Sequence, residues 1–179
     1  MTTLRVLVVE DSESDYKLLV HELRRHFELA EIARVETEAA MRASLAAKTW
    51  DVIISDWSLP NFSASGALAV VKGLDLDIPF IISSGTIGEE HAVAAMRSGA
   101  HDYVIKGNLT RLAAAIDREV REGQLHREFL QRRREDGRFF NLSLDLFCIA
   151  GFDGYFKRLN PAWAALGWTS DELMAAPWI

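Results

Sequence analysis

Asp51-Val52-Ile53-Ile54-Ser55-Asp56-Trp57-Ser58-Leu59-Pro60 is the stretch around which this chain is read. Val52, Ile53 and Ile54 run on without the alternation of a half-exposed strand, which suits a strand buried on both faces of a parallel sheet. The run ends on an acid and a Pro-closed turn. A carboxylate at the C-terminal end of such a strand stands where open α/β sheets bind their ligands. Asp56 is therefore the candidate reacting group. The plainer reading, that an Asp merely opens a turn, has equal standing until the rest of the chain is considered.

Four more strand-like runs flank this one. Leu4 to Val9 ends on Glu10-Asp11, and Glu31 to Val35 reads as a weaker edge strand. Ile78-Pro79-Phe80-Ile81-Ile82-Ser83-Ser84 reads as a fourth strand and Asp102 to Lys106 as a fifth. Between them lie helical stripes: Leu18, Leu19, Leu23 and Phe27 behind start residues Ser12 to Asp15; Met41 and Leu45 behind Thr37-Glu38; Leu68, Val71 and Leu74 behind Ser63; and Ala92, Val93 and Met96. Leu109 begins a fifth helix through Leu112, Ile116 and Val120. Strands alternating with helices predict an α/β fold, a parallel sheet covered on both faces.

Composition sets the outer limits. The chain has 179 residues, 49% hydrophobic and 26% charged, as in ordinary soluble proteins. A net charge of −6 argues against nucleic acid or an anionic membrane as the main partner. No run of about 18 apolar residues predicts a membrane span, and the N-terminus does not read as a secretory signal. The single cysteine, Cys148, excludes an internal disulfide. The expected setting is reducing and cytoplasmic.

In a right-handed parallel sheet the ends of the first, third, fourth and fifth strands share one edge. Those ends carry Glu10 and Asp11, Asp56, Ser83 and Ser84, and Lys106. Two carboxylates 4 Å apart repel by about 4 kcal/mol at an effective dielectric near 20, more than one lysine can offset for three of them. A divalent cation can, and an all-oxygen donor set suits Mg²⁺. A carboxylate beside a metal, a hydroxyl and an ammonium are the parts that position and neutralise a phosphoryl group during transfer.

These residues together resemble the receiver domain of two-component response regulators. The likeness is carried by Glu10-Asp11, Asp56 with Leu59-Pro60, Pro79 to Gly85, and Gly99-Ala100-His101-Asp102-Tyr103-Val104-Ile105-Lys106, over residues 4 to 122. It implies a doubly wound, flavodoxin-like sheet of order 2-1-3-4-5. It further implies that Asp56 takes a phosphoryl group from a histidine kinase or phosphotransfer protein. Glu10, Asp11 and Asp56 would hold Mg²⁺ with the backbone carbonyl of Ser58, and Lys106 would pair with the phosphoryl oxygens. Ser84, preferred over Ser83 by its register from Pro79, would turn its hydroxyl to the phosphoryl group, and Tyr103 would follow as an aromatic switch. Gly107 departs from the family pattern, standing where receivers usually have proline, and leaves the aim of Lys106 open. Trp57 is bulky beside the acceptor and is expected to slow hydrolysis of an aspartyl phosphate. Gly85-Thr86-Ile87-Gly88 lacks the ending of a P-loop and reads as a hinge.

Three segments follow: a receiver domain over 1–122, a helical connector over 123–138 and an incomplete segment over 139–179. The connector is dense in charge. Ile116, Gly123 and Leu130 mark a candidate two-stranded seam and homodimer contact, spoiled by Arg127 and Arg134. Arg132-Arg133-Arg134 reads as a solvated helical face rather than a nucleic-acid contact. The tail reads as a hairpin about Gly151-Phe152-Asp153-Gly154, then a helix opened by Pro161, and it resembles the beginning of a PAS sensor domain through Asn160-Pro161, Leu166-Gly167-Trp168 and Ser170-Asp171-Glu172-Leu173. About 40 residues are few for an independent core, so a piece of a larger domain is expected. The function expected is a phosphoacceptor switch rather than an enzyme. The alternatives are an aspartate-nucleophile, Mg²⁺-dependent phosphohydrolase, disfavoured by Ser58 where such enzymes carry a second acid, and a receiver-like scaffold that is never phosphorylated.

Overall fold

Neighbouring residues of the central strands go to opposite cores, as the period of two requires. The computed structural model describes residues 3–60, 62–85 and 89–177, without the side chains of 89, 90, 109, 130, 134 and 136. The chain divides into two compact units, Met1–Gln124 and Leu125–Ile179. The first holds a five-stranded sheet of β1 (Thr3–Val9), β2 (Glu28–Val35), β3 (Val52–Asp56), β4 (Phe80–Ser84) and β5 (Asp102–Ile105), in the order β2-β1-β3-β4-β5. Every pairing in it is parallel. This is the flavodoxin-like order expected.

Leu7, Val9, Ile53, Phe80 and Ile82 enter one core with Met41, Leu68, Val71 and Ala95. Leu4, Val6, Val8, Val52, Ile54 and Ile81 enter the other with Leu19, Leu23, Leu112, Ile116 and Val120. The helices supplying the first face are α2 (Glu38–Ala47), α3 (Ala64–Gly73) and α4 (Glu89–Arg97); α1 (Glu13–His26) and the first part of α5 (Leu109–Leu142) supply the second. Each fully buried Leu or Ile contributes about 1.5 to 3 kcal/mol. The helix starts are set locally: Ser12, Thr37 and Ser63 accept hydrogen bonds from the amides of Asp15, Ala40 and Gly66.

Several expectations are corrected. Leu18, Val93 and Met96 fall on the expected apolar stripes, yet each is about half exposed or more, because Leu19 with Leu23, and Ala95, already fill the inward faces of α1 and α4. Leu74 is the C-cap of α3 rather than a member of its stripe. β2 starts at Glu28, three residues before the expected Glu31, since β1 extends to Thr3 and pairs with it there. The charged segment continues α5 as the expected helical connector, through Gly123 and Gly137, but the helix runs on to Leu142, so Phe139 to Leu142 belong to it rather than to the tail. The Thr86-Ile87-Gly88 part of the hinge reading, and the side chains of Leu130 and Arg134 in the seam reading, lie outside the described residues.

The second unit pairs β6 (Cys148–Ala150) with β7 (Phe156–Leu159) in an antiparallel hairpin. Gly154 takes φ 81° in its turn, a conformation that suits glycine. Pro161–Leu166 is a 3₁₀ helix ended by Gly167 at φ 84°, so Trp168 lies beyond it. A short α6 (Ser170–Ala175) follows, with a capping box between Thr169 and Glu172. Asn160 is buried; its side chain accepts from the Phe147 amide and donates to the carbonyls of Ser143 and Asp145. No helix among the described residues is long and apolar enough to cross a membrane.

Candidate functional site

The sheet register assembles the site. Val9 pairs with Ser55 and Asp56 with Ser83, so Glu10, one residue beyond β1, arrives beside Asp56 at the same edge. Glu10 is held there by its amide, which donates to Val35. β5 ends level with β4, Ser84 opposite Ile105, and the Lys106 amide donates to the Ser84 carbonyl at 2.8 Å. The chain thus delivers an ammonium to the carboxylates across 50 and 96 positions of sequence.

Lys106 Nζ lies 2.9 Å from Asp56 Oδ2, 2.8 Å from Glu10 Oε2 and 2.5 Å from Asp15 Oδ2. One oxygen each from Glu10, Asp11 and Asp56 lie within 4.8 Å of one another. At that spacing each pair of charges repels by about 3 to 4 kcal/mol at an effective dielectric near 20. Burial drives the Glu10 carboxyl above the usual carboxylate range, despite hydrogen bonds from Lys106 and the Ser12 amide. Burial works against the charge on Lys106, yet hydrogen bonds to Asp15, Glu10 and Asp56 hold its ammonium well above the ordinary lysine value. The Asp15 carboxyl is held below its ordinary value by the Lys106 hydrogen bond. A trio of oxygens from hard carboxylates fits Mg²⁺ by the chemistry of the donor set.

A cavity of about 150 Å³ opens beside this cluster, lined by the apolar Val8, Ile54, Leu18 and Leu19 and by Glu10, Asp15, Asp56, Ser83 and Lys106. Asp11 is exposed, and its backbone carbonyl accepts from the Arg34 guanidinium at 3.0 Å. Arg34 also pairs with Glu36 and lies 5.8 Å over the Tyr16 ring. Ser58 follows Asp56 closely, its amide 3.4 Å from Asp56 Oδ1. Ser83 and Ser84 are both buried, Ser83 at the cavity and Ser84 next along β4. Tyr103 is buried opposite Ile82, in the core on the α4 side of the sheet. Trp57 packs its ring 5.1 Å from that of His91 on α4. The peptide after Lys106 is trans, like every other described one.

Sequence reasoning missed Asp15 and Arg34. By sequence Asp15 is a helix-start residue, although an acid five positions after Glu10 on the first turn of the following helix is a signal for a fourth carboxylate near the edge. Arg34 carried no signal beyond its place one residue before the end of β2.

Comparison with known proteins gives the same picture. Residues 6–117 match the family model described as the response regulator receiver domain. The transcriptional regulatory protein PrrA of Mycobacterium bovis is 29% identical over 107 residues, 59% of this chain and 45% of that protein, so the chain spans less than half of this relative. The signal receiver domain of a signal transduction histidine kinase from Syntrophus aciditrophicus is 25% identical, with a TM-score of 0.57 over 66% of this chain and 91% of the other. The receiver domain of the histidine kinase CKI1 from Arabidopsis thaliana, complexed with Mg²⁺ and BeF₃⁻, is 23% identical, with a TM-score of 0.53 over 66% of this chain and 90% of that one. With a family model matching well over half of its length, and with the sheet order and acidic edge described above, this chain belongs to the response regulator receiver domain family.

Proposed function

We propose that the first unit is a phosphoacceptor switch in which Asp56 is the residue modified. The observation that carries this reading is the convergence of Glu10, Asp11 and Asp56 oxygens within 4.8 Å, with Lys106 Nζ 2.9 Å from Asp56. The donor would be a phosphohistidine on a sensor histidine kinase or phosphotransfer protein. A carboxylate oxygen of Asp56 forms the new bond to phosphorus as the phosphorus–nitrogen bond of the donor breaks; the electron pair stays on the imidazole nitrogen, which takes a proton. Glu10, Asp11, Asp56 and the backbone carbonyl of Ser58 would hold Mg²⁺, which supplies neutralisation of charge on the transferring phosphoryl oxygens. Lys106 pairs with those oxygens, and its raised proton affinity keeps it cationic throughout the neutral range. The hydroxyl of Ser84 turns to the bound phosphoryl group, and Tyr103, already inward, reports the change to the surface of α4 and β5.

A new dianionic group beside three acids is a local electrostatic event. Its readout requires an element with two arrangements, biased by that charge. We assign that readout to α4 and β5, and through α5 to the second unit, whose hairpin and Asn160-Pro161 turn are read as PAS-like. The test is intact mass of the full chain after incubation with phosphoramidate and Mg²⁺. Addition of one phosphoryl group that is lost with a chelator present, and absent in Asp56→Asn, is expected. Steady turnover of a phosphomonoester would instead favour a phosphohydrolase, and no modification with retained partner binding would favour a scaffold.

A further inference from the structure

Lys106 touches three carboxylates, but they do not stand in the same position. Glu10 and Asp56 belong, with Asp11, to the trio whose oxygens gather within 4.8 Å. Asp15 is outside that trio and yet makes the shortest of the three contacts, 2.5 Å. It comes from the first turn of α1, three residues after the N-cap Ser12. An acid there ordinarily reaches back to the N-cap amide. In this chain the Ser12 amide donates to Glu10 Oε1 at 3.0 Å, while the Asp15 amide donates to Ser12 Oγ at 3.3 Å. The Ser12 amide that such an acid would accept from is thus taken by Glu10, and the Asp15 carboxylate, with the Ser12 hydroxyl beside it, turns to the lysine.

A lysine ammonium is a point charge on a flexible stem and has no fork to fix its direction. The residue after it is Gly107, joined by a trans peptide, so the main chain adds little restraint. Partners therefore decide where Nζ sits. Two of these partners are committed to the candidate metal trio, which leaves Asp15 as the carboxylate dedicated to Lys106. We propose that Asp15 is a positioning residue that holds Lys106 in the cavity lining, within hydrogen-bond distance of Asp56, for phosphoryl transfer. This deepens the phosphoacceptor reading and rests on it.

The experiment is a double-mutant cycle on the full chain, following phosphorylation by phosphoramidate with Mg²⁺ by intact mass, alongside calorimetric Mg²⁺ titration without donor. Asp15→Ala should slow phosphorylation on the order of tenfold, a typical cost of a misplaced group. Asp15→Asn, which keeps an oxygen but not the charge, should fall between it and the unmodified chain and stands in if the alanine variant does not fold. In a Lys106→Ala background, Asp15→Ala should cost less than about twofold more, because its effect runs through the lysine. The Mg²⁺ dissociation constant should change by less than about twofold in either Asp15 variant. Wild-type rates in both Asp15 variants, an undiminished loss in the Lys106→Ala background, or a loss of Mg²⁺ affinity as large as the loss of rate would each overturn the inference while leaving the phosphoacceptor reading intact. Absence of modification in the unmodified chain would overturn both.

Discussion

Lys106 Nζ and Asp56 Oδ2 are 2.9 Å apart although the residues are separated by 50 positions. The contact exists because β3 and β5 flank β4 in register and both end at the same edge. A lysine stem placed there spans one strand and no more. The same edge carries Glu10, so the charge balance of the site is written by strand order rather than by any local motif.

Arg34 is expected to set the Asp11 loop. Its guanidinium holds the Asp11 carbonyl, and a hydrogen bond of this kind contributes about 1 kcal/mol. Arg34→Ala should therefore raise the Mg²⁺ dissociation constant by about fivefold, measured by calorimetry. An unchanged constant would mean that the loop holds its shape without this clamp.

Trp57 follows Asp56 directly in the chain and packs against His91. Trp57→Ala should shorten the lifetime of the aspartyl phosphate, read as faster loss of the added mass after the donor is removed. His91→Ala, which leaves the indole but removes its support on α4, should move the lifetime the same way by less. An unchanged lifetime in Trp57→Ala rejects this role.

Metal-free stability should carry the signature of Glu10. Burial raises its carboxyl above the ordinary value, so the folded protein binds this proton more tightly than the unfolded chain does. The group's contribution is most favourable below the unfolded value, about pH 4.3, and declines as pH rises through the higher folded value. Glu10→Gln should consequently equal or exceed wild type in denaturant midpoint at neutral pH, with the advantage shrinking on acidification. A variant whose advantage grew in acid would have the opposite sign.

In the second unit, Asn160 supports the hairpin ends through the Phe147 amide and two carbonyls while itself buried. Asn160→Ala strands those groups at a cost of about 1 to 3 kcal/mol. Limited proteolysis should then cut within residues 143–160 while the first unit stays intact. Unaltered cleavage would show that water replaces the side chain without loss.

The sheet was legible because strands buried on both faces leave uninterrupted apolar runs, as Val52-Ile53-Ile54 and Phe80-Ile81-Ile82 do. The acids and the lysine were legible because each closes such a run. Helix faces were less so: Leu18, Val93 and Met96 have the chemistry of core residues, and only the packing of Leu19, Leu23 and Ala95 shows that the places were taken. Asp15 and Arg34 could not be placed, since their contacts lie 91 and 23 positions away and depend on where α1 starts and β2 ends. The run of α5 through the charged segment was legible because no proline interrupts it and an isolated glycine such as Gly123 or Gly137 costs a helix only about 1 kcal/mol, whereas the apolar Phe139 to Leu142 look like the start of the tail and are the helix's last turn.

The most direct measurement locates the modified residue. After exposure to phosphoramidate and Mg²⁺, borohydride reduction converts an aspartyl phosphate to homoserine, and peptide mapping reads its position. The account predicts homoserine at residue 56 alone, with none when Mg²⁺ is chelated. Conversion at Asp11 or Asp15 instead, or none anywhere in a chain that folds and binds Mg²⁺, would contradict it.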